Sequence, residues 1–135
     1  MKEVTLADSK GKMHLLSVVV SLDTSVCDIQ TQQFEAEAGK FPEIMIYAIS
    51  MDLPFAQAHY CGAHSAKNIQ TLSDHRDASF GMAYDVLIKE MRLLARYIFI
   101  IDKNDIIHYV EYVKDSSHPP DYDKAIAALR EVLAK

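Results

Sequence analysis

Three short apolar segments constrain the fold of this chain more than any other feature of its sequence. They are residues 13–20 (MHLLSVVV), 43–49 (EIMIYAI) and 97–101 (YIFII), and each is nearly continuous in hydrophobic residues. Runs of this length that are rich in β-branched residues are typical of strands buried on both faces of a sheet. All three are far too short to cross a bilayer. The sequence therefore predicts a sheet that lies inside the protein.

The intervening segments carry the start and stop signals of helices. One helix is expected from Thr24, a candidate N-cap, to Gly39, a candidate stop. A second is expected to begin at Pro54, which suits the first turn of a helix, and to end near Gly62. A closing helix follows two consecutive prolines, with Asp121 as its predicted cap.

The order of elements limits the fold class. A short strand is expected in residues 68–72 (NIQTL) and a short capped helix in 73–84. Residues 96–102 and 106–113 flank the compact turn KND, which predicts an antiparallel hairpin. Buried strands alternating with helices and followed by a hairpin predict an α/β fold, with a central mixed sheet flanked by helices. A thioredoxin-like fold satisfies this order, and we expect one domain over residues 1–135.

Charge and composition exclude several classes of protein. The formal net charge is −5 and there is no basic run, so a nucleic-acid partner is not expected. The N-terminus has acidic residues where a signal peptide has an uninterrupted apolar region. We therefore expect a cytoplasmic protein that has no membrane partner. Two cysteines in a reducing compartment leave three interpretations, namely buried residues, a metal site or redox chemistry.

Cys27 follows the predicted N-cap Thr24 by three residues. A cysteine in the first turn of a helix lies near backbone N–H groups that lack intrahelical partners and near the positive end of the helix dipole. Both favour the thiolate, the form of cysteine that acts as a nucleophile. The alternative is that Cys27 is a small buried hydrophobic residue of an amphipathic helix. The local pattern does not decide between the two.

Cys61 lies in the segment AHYCGAHS, between His59 and His64. This spacing matches no common zinc template, and no second pair of ligands is near, so a metal is not expected. Cys27 and Cys61 are predicted on different elements. Whether they can form a disulfide, which needs α-carbons within about 7 Å, stays open at this point.

Several longer segments of the chain resemble one family, the bacterial thiol peroxidases, which are a branch of the atypical two-cysteine peroxiredoxins. The resemblance covers nearly the whole chain and runs in register through SLDTSVCDIQT, SMDLPFAQ, YCGA, TLSDHRDASFG, RLLAR and PDYDKAIAAL.

The resemblance implies a function and a set of site residues. Cys27 matches the family's peroxidatic cysteine, Cys61 its resolving cysteine, Thr24 its active-site threonine and Arg96 its active-site arginine. It implies that hydrogen peroxide and alkyl hydroperoxides are reduced through a Cys27 sulfenic acid, which Cys61 resolves as an intramolecular disulfide. Thioredoxin is the implied reductant, a homodimer is the implied assembly, and no cofactor is implied.

The chain also differs from the family pattern. Val20 stands where the family motif has a proline that shields the reactive cysteine. The chain is also expected to lack the N-terminal hairpin that precedes the matching stretch in family members. These two differences support a second hypothesis, in which the protein is a catalytically weakened thioredoxin-fold module that senses redox state or binds a partner.

Overall fold

A computed structural model describes residues 3–115 and 117–134, apart from the side chain of Leu6. In these residues a short 3-10 helix spans Leu6–Ser9. The α-helices are α1 Ser25–Ala38, α2 Pro54–His64, α3 Ser79–Ala83 and α4 Tyr122–Leu133. The strands are β1 Met13–Val18, β2 Ile44–Ser50, β3 Gln70–Ser73, β4 Leu87–Ile88, β5 Leu93–Leu94, β6 Tyr97–Ile101 and β7 Ile107–Tyr112. In the described part of the chain, no helix combines the length and hydrophobicity needed to span a membrane.

Five strands form the central sheet, in the order β3-β2-β1-β6-β7. β1 is parallel to β2, and β2 is parallel to β3. β6 runs antiparallel to both β1 and β7. The predicted mixed sheet and thioredoxin-like fold are confirmed, and so is the predicted hairpin, which consists of β6 and β7.

The central position of β1 follows from its sequence, because every residue of Met13–Val18 is buried. Side chains alternate between the two faces of a strand. Leu15 packs with α1 and α4 on one face, whereas Leu16 and Val18 pack on the other face with residues around β4 and β5. The candidate site described below includes a bond to Ser17, near the C-terminal end of β1 on the face that α1 covers.

The helix boundaries correct one prediction and refine another. Gly39 does follow the last residue of α1, but with a φ of −62°, so its backbone is right-handed. The predicted helix from Pro54 is confirmed, but Gly62 is not its stop residue as expected. The helix continues to His64, and Ser65 ends it in the left-handed conformation with a φ of 53°. Gly62 is thus an interior residue of α2.

Candidate active site

Cys27 is the third residue of α1, where the sequence predicted it. Thr24 is the N-cap residue, and its carbonyl accepts the first intrahelical hydrogen bond from the Asp28 N–H at 2.8 Å. The Cys27 sulfur is therefore carried by the first turn, close to N–H groups that have no partner inside the helix. Cys27 is also completely buried, at 0% exposure. The site combines the position expected of a reactive thiol with the burial expected of a core residue.

The side chain of Thr24 does not cap α1. Its hydroxyl donates a hydrogen bond to the Ser21 carbonyl at 3.0 Å, and it makes no side-chain cap bond. The residue is exposed. Thr24 is thus the N-cap by its backbone, as predicted, but the expected contribution of its side chain to the cap is wrong.

Both cysteines belong to one small hydrophobic cluster. Cys27 packs there with Val19, Leu22 and Tyr60, and the partly buried Val20 and Cys61 pack against the cluster. Both thiols are free, and the Cys61 sulfur lies 3.6 Å from the Thr71 hydroxyl. The structure therefore brings together the cysteines of α1 and α2, which the sequence alone left unconnected.

A buried polar chain connects Arg96 to α1. Arg96 is 1% exposed immediately before β6, and its Nη1 donates to Gln30 Oε1 at 2.7 Å. The Gln30 amide in turn donates to Ser17 Oγ, also at 2.7 Å. Gln30 follows Cys27 by three residues, which puts the two side chains on the same face of the helix. The guanidinium is consequently held by the residue that lies about one helical turn after Cys27 on α1.

The Tyr122 hydroxyl also points into this region. It is buried, and no hydrogen-bond partner for it is found in the described residues. Burial raises the pKa of Tyr122; the Arg96 guanidinium lowers this pKa and Cys27 raises it. Tyr122 is therefore close enough to both residues to be influenced by their charges.

The histidines around Cys61 do not form a metal site. No group of three or more His, Cys, Asp or Glu residues within 3–115 and 117–134 is arranged to hold a metal ion. His64 instead places Nδ1 3.0 Å from the Tyr60 carbonyl and Nε2 3.5 Å from an Asp28 carboxylate oxygen.

The sequence prediction did not include Gln30 or Tyr122. Gln30 carries a recognisable signal, because a glutamine between Cys27 and Phe34 on the buried side of an amphipathic helix needs a buried partner. Tyr122 has no such signal. Its position depends on how α4 packs across the sheet, which no local pattern encodes.

Comparisons with known proteins agree with this geometry. Residues 1–126 match the Redoxin family. The thiol peroxidase of Bacillus subtilis (strain 168) is 50% identical over 133 residues, which cover 98% of this chain and 80% of that protein. The thiol peroxidase of Staphylococcus aureus (strain MRSA252) is 48% identical over 132 residues, which cover 98% and 80%. Among solved structures, a peroxiredoxin-like protein from Aquifex aeolicus superposes with a TM-score of 0.86 at 34% identity, covering 92% of this chain and 74% of that one.

Proposed function

The chain belongs to the Redoxin family and, within it, to the bacterial thiol peroxidases, so it is a peroxidase, and on that premise we propose that Cys27 is the peroxidatic cysteine and Cys61 the resolving cysteine. One observation carries the assignment. Two free thiols share one cluster, and a buried guanidinium is hydrogen-bonded to Gln30, the residue about one helical turn after the deeper of them. No other pair of cysteines exists in the sequence.

In the first step, the Cys27 thiolate attacks the terminal oxygen of a hydroperoxide. The new S–O bond forms as the O–O bond breaks, and the alkoxide or hydroxide that leaves takes up a proton to become an alcohol or water. Cys27 is oxidised to a sulfenic acid and the peroxide is reduced by two electrons. The sulfur that starts this step is carried by the first turn of α1, where backbone N–H groups lack intrahelical partners.

Arg96 and Thr24 assist the first step in this proposal. The guanidinium stabilises the negative charge that builds on the leaving oxygen, and Gln30 keeps it oriented. The Thr24 hydroxyl takes part in a hydrogen bond with the peroxide oxygen when substrate is bound. The exposure of Thr24 supports this role, because a side chain at the surface is free to turn toward an entering substrate.

In the second step, the Cys61 thiolate attacks the sulfenic sulfur. The disulfide forms, the S–O bond breaks, and the hydroxyl leaves as water after protonation. Thioredoxin then returns two electrons by thiol–disulfide exchange and restores both thiols. Because the cysteines belong to separate helices, α1 and α2 must rearrange locally before the sulfurs can bond.

The proposal extends to substrate, assembly and compartment. We assign hydrogen peroxide and alkyl hydroperoxides as substrates, because the apolar side chains of Val19, Val20 and Leu22 around Cys27 suit an alkyl group. A homodimer is supported by exposed apolar side chains such as Phe55, which is 71% exposed. A cytoplasmic location would keep both cysteines reduced between turnovers.

The test is peroxide consumption coupled to thioredoxin, thioredoxin reductase and NADPH. Wild type should consume cumene hydroperoxide much faster than free cysteine does. Cys27→Ser should abolish consumption, and Cys61→Ser should weaken it sharply because the sulfenic acid is no longer resolved within the chain. Consumption by wild type at the rate of free cysteine would contradict the proposal.

Val20 offers a direct test of the second hypothesis, the weakened redox-sensing module. Its side chain packs against the cluster that contains Cys27, so the apolar shield that the family's proline provides is retained. We therefore expect Val20→Pro to give no gain in peroxidase rate. A large gain, together with a wild type that forms one disulfide but does not turn over, would favour the sensing module.

A further inference from the structure

Asp28 joins the two helices that carry the cysteines. It lies directly after Cys27 on α1, and its Oδ1 accepts a hydrogen bond from the Tyr60 hydroxyl of α2 at 2.7 Å. His64 stacks on the Tyr60 ring, with 4.1 Å between ring centroids, and its Nε2 lies 3.5 Å from the same oxygen. Tyr60 is itself the residue before Cys61. The neighbours of both cysteines are therefore bonded to each other.

The charge of the Asp28 carboxylate is stabilised in this arrangement. Burial raises the pKa of Asp28, but hydrogen bonds from Gln32 and Tyr60 and the nearby His64 outweigh this effect and lower it. Burial and the Asp28 carboxylate both raise the pKa of Tyr60, which keeps its hydroxyl protonated as a donor. A neutral hydroxyl that donates to a carboxylate forms a stronger hydrogen bond than a neutral pair does.

The chain on either side of this contact is anchored separately. Before it, the buried Gln57 amide donates to Ser50 Oγ at 3.1 Å and to the Leu72 carbonyl at 2.8 Å. After it, the Glu35 carboxylate accepts hydrogen bonds from the backbone N–H groups of 67–69. We call residues 58–65, between these anchors, the resolving segment.

The resolving segment is bonded to one short stretch of α1 through Tyr60 and His64. Within the described residues, the side-chain hydrogen bonds and ion pair from this segment to α1 end on Asp28, apart from a hydrogen bond between Tyr60 and Gln32. Tyr60 is also the only member of the segment that is fully buried; Cys61 is partly buried and the others are exposed. The segment can therefore detach from α1 by losing the contacts of Tyr60 and His64, including the packing of Tyr60 on Cys27, while both of its ends stay fixed.

We propose that the Asp28–Tyr60 hydrogen bond, with His64 stacked on Tyr60, is a latch that holds the resolving segment in its helix and limits the rate at which Cys61 reaches oxidised Cys27. This inference rests on the proposed function of the two cysteines. Asp28 and Tyr60 are positioning residues in it, because they act through the segment that carries Cys61 and do not contact the peroxide.

Oxidation of Cys27 would strain this latch. Cys27 has no exposure and packs against Tyr60, so the oxygen gained in the sulfenic acid must enter a filled cluster. Added volume in a close-packed site displaces its neighbours. Displacement of Tyr60 stretches its bond to Asp28 and releases the segment after Cys27 has reacted.

The first test measures hydrogen exchange in the reduced protein. Tyr60→Phe keeps the ring that packs on Cys27 and stacks on His64, and removes only the hydroxyl. Amide exchange within 58–65 should accelerate about tenfold, because a hydrogen bond to a charged group is lost. The matched control is Tyr109→Phe, which removes a similar bond, from Tyr109 to Glu111 at 3.0 Å on β7, and should leave 58–65 unchanged. Unchanged exchange of 58–65 in Tyr60→Phe would overturn the latch.

The second test separates the two chemical steps by rapid mixing with a hydroperoxide. In Tyr60→Phe, the phase whose rate depends on peroxide concentration should stay within about twofold of wild type, and the phase that forms the disulfide should accelerate about tenfold. Asp28→Asn keeps an acceptor and loses the charge, so it should accelerate disulfide formation by a smaller factor. A purely structural role would instead change both phases together.

The outcomes also distinguish the latch from the proposed function. A wild type that reacts with peroxide but forms no Cys27–Cys61 disulfide overturns the proposed resolving role of Cys61 and, with it, the latch. Equal rates of disulfide formation in wild type and Tyr60→Phe overturn the latch alone.

Discussion

Gln30 is the residue through which three elements meet at the candidate site. Its side chain bonds to Ser17 on β1 and to Arg96 before β6, and its own helix carries Cys27. A buried guanidinium lowers stability unless it is hydrogen-bonded. The Gln30 amide oxygen, which accepts a hydrogen bond from Arg96, therefore contributes to the stability of the fold as well as to the orientation of the guanidinium. This dual contribution makes Gln30 a sensitive position for substitution.

We expect Gln30→Met to lower both stability and the rate of peroxide reaction. Methionine has a similar volume but neither accepts from Arg96 nor donates to Ser17, so the free energy of unfolding should fall by about 1–3 kcal/mol. The rate constant for reaction with peroxide should fall about tenfold, because the guanidinium is less firmly oriented. Urea denaturation and rapid mixing measure the two effects. Gln33→Met, at an exposed position of the same helix, is the control and should change neither.

At the same scale, the roles predicted for Cys61 and Arg96 came only from the family resemblance. Composition and spacing identified Cys27 as a candidate nucleophile but left its burial open. The bond between Arg96 and Gln30 joins residues 66 positions apart. A contact of that separation leaves no periodic pattern in the chain, and no local rule could have found it.

α2 shows how an element can differ from its sequence signals. The glycine at 62 was expected to end the helix, yet the helix passes through it for two more residues. Signals of this kind act only on the local backbone, whereas most helical stability in a protein comes from tertiary packing, such as that of Tyr60 in the Cys27 cluster. The two-residue strands β4 and β5 were not predicted either, because they are too short to show alternation.

Substitution of the two helical glycines should have opposite effects. A Cβ at Gly62 meets nothing within 4 Å, so Gly62→Ala should stabilise the protein by about 0.5–1 kcal/mol through the higher helix propensity of alanine. A Cβ at Gly81 would lie 2.8 Å from Leu94 Cδ2 and 3.0 Å from Leu87 Cβ, so Gly81→Ala should cost about 1–3 kcal/mol. Thermal and urea denaturation of both variants give the comparison.

The Gly62 variant also bears on turnover. If the resolving segment must leave its helical conformation, Gly62→Ala should slow disulfide formation although nothing at the sulfurs has changed. Faster disulfide formation in this variant would argue that α2 stays helical during the reaction.

Over the whole molecule, the sequence predicted the architecture well because most of its information is in long, strongly patterned segments. β1, β2 and β6 are short apolar runs whose side chains are buried when they form strands inside a sheet. The turn before β7 is short enough to be recognised as a hairpin turn. The order of the strands in the sheet could not be predicted from the sequence, because a hydrophobic run does not specify which strands lie beside it.

His14 in the central strand makes the stability of the whole molecule depend on pH. The side chain is 1% exposed, its Nε2 is hydrogen-bonded to Ser9 Oγ, and its ring stacks on Tyr47. Burial lowers the pKa of His14, although Asp105 acts in the opposite direction. The folded protein therefore holds the neutral imidazole down to a lower pH than the unfolded chain does.

Stability should accordingly fall as the pH drops below about 6.5, the pKa of histidine in an unfolded chain. Below that pH, His14 binds a proton in the unfolded chain but not in the folded protein. The free energy of unfolding therefore keeps falling until the pH reaches the pKa of His14 in the folded protein. Urea denaturation between pH 7 and pH 5 measures it. His14→Gln should flatten this dependence, whereas His118→Gln, at an exposed position, should leave it intact. An equal slope in wild type and His14→Gln would contradict the assignment.

The complete enclosure of the Cys27 sulfur also bears on which reagents can label this protein. Like a hydroperoxide, a maleimide can reach this sulfur only when the enclosing side chains move apart, so its labelling kinetics would report how often they do so, with little dependence on how nucleophilic the sulfur is. A covalent inhibitor aimed at this thiol would gain more from a slender warhead than from a more reactive one.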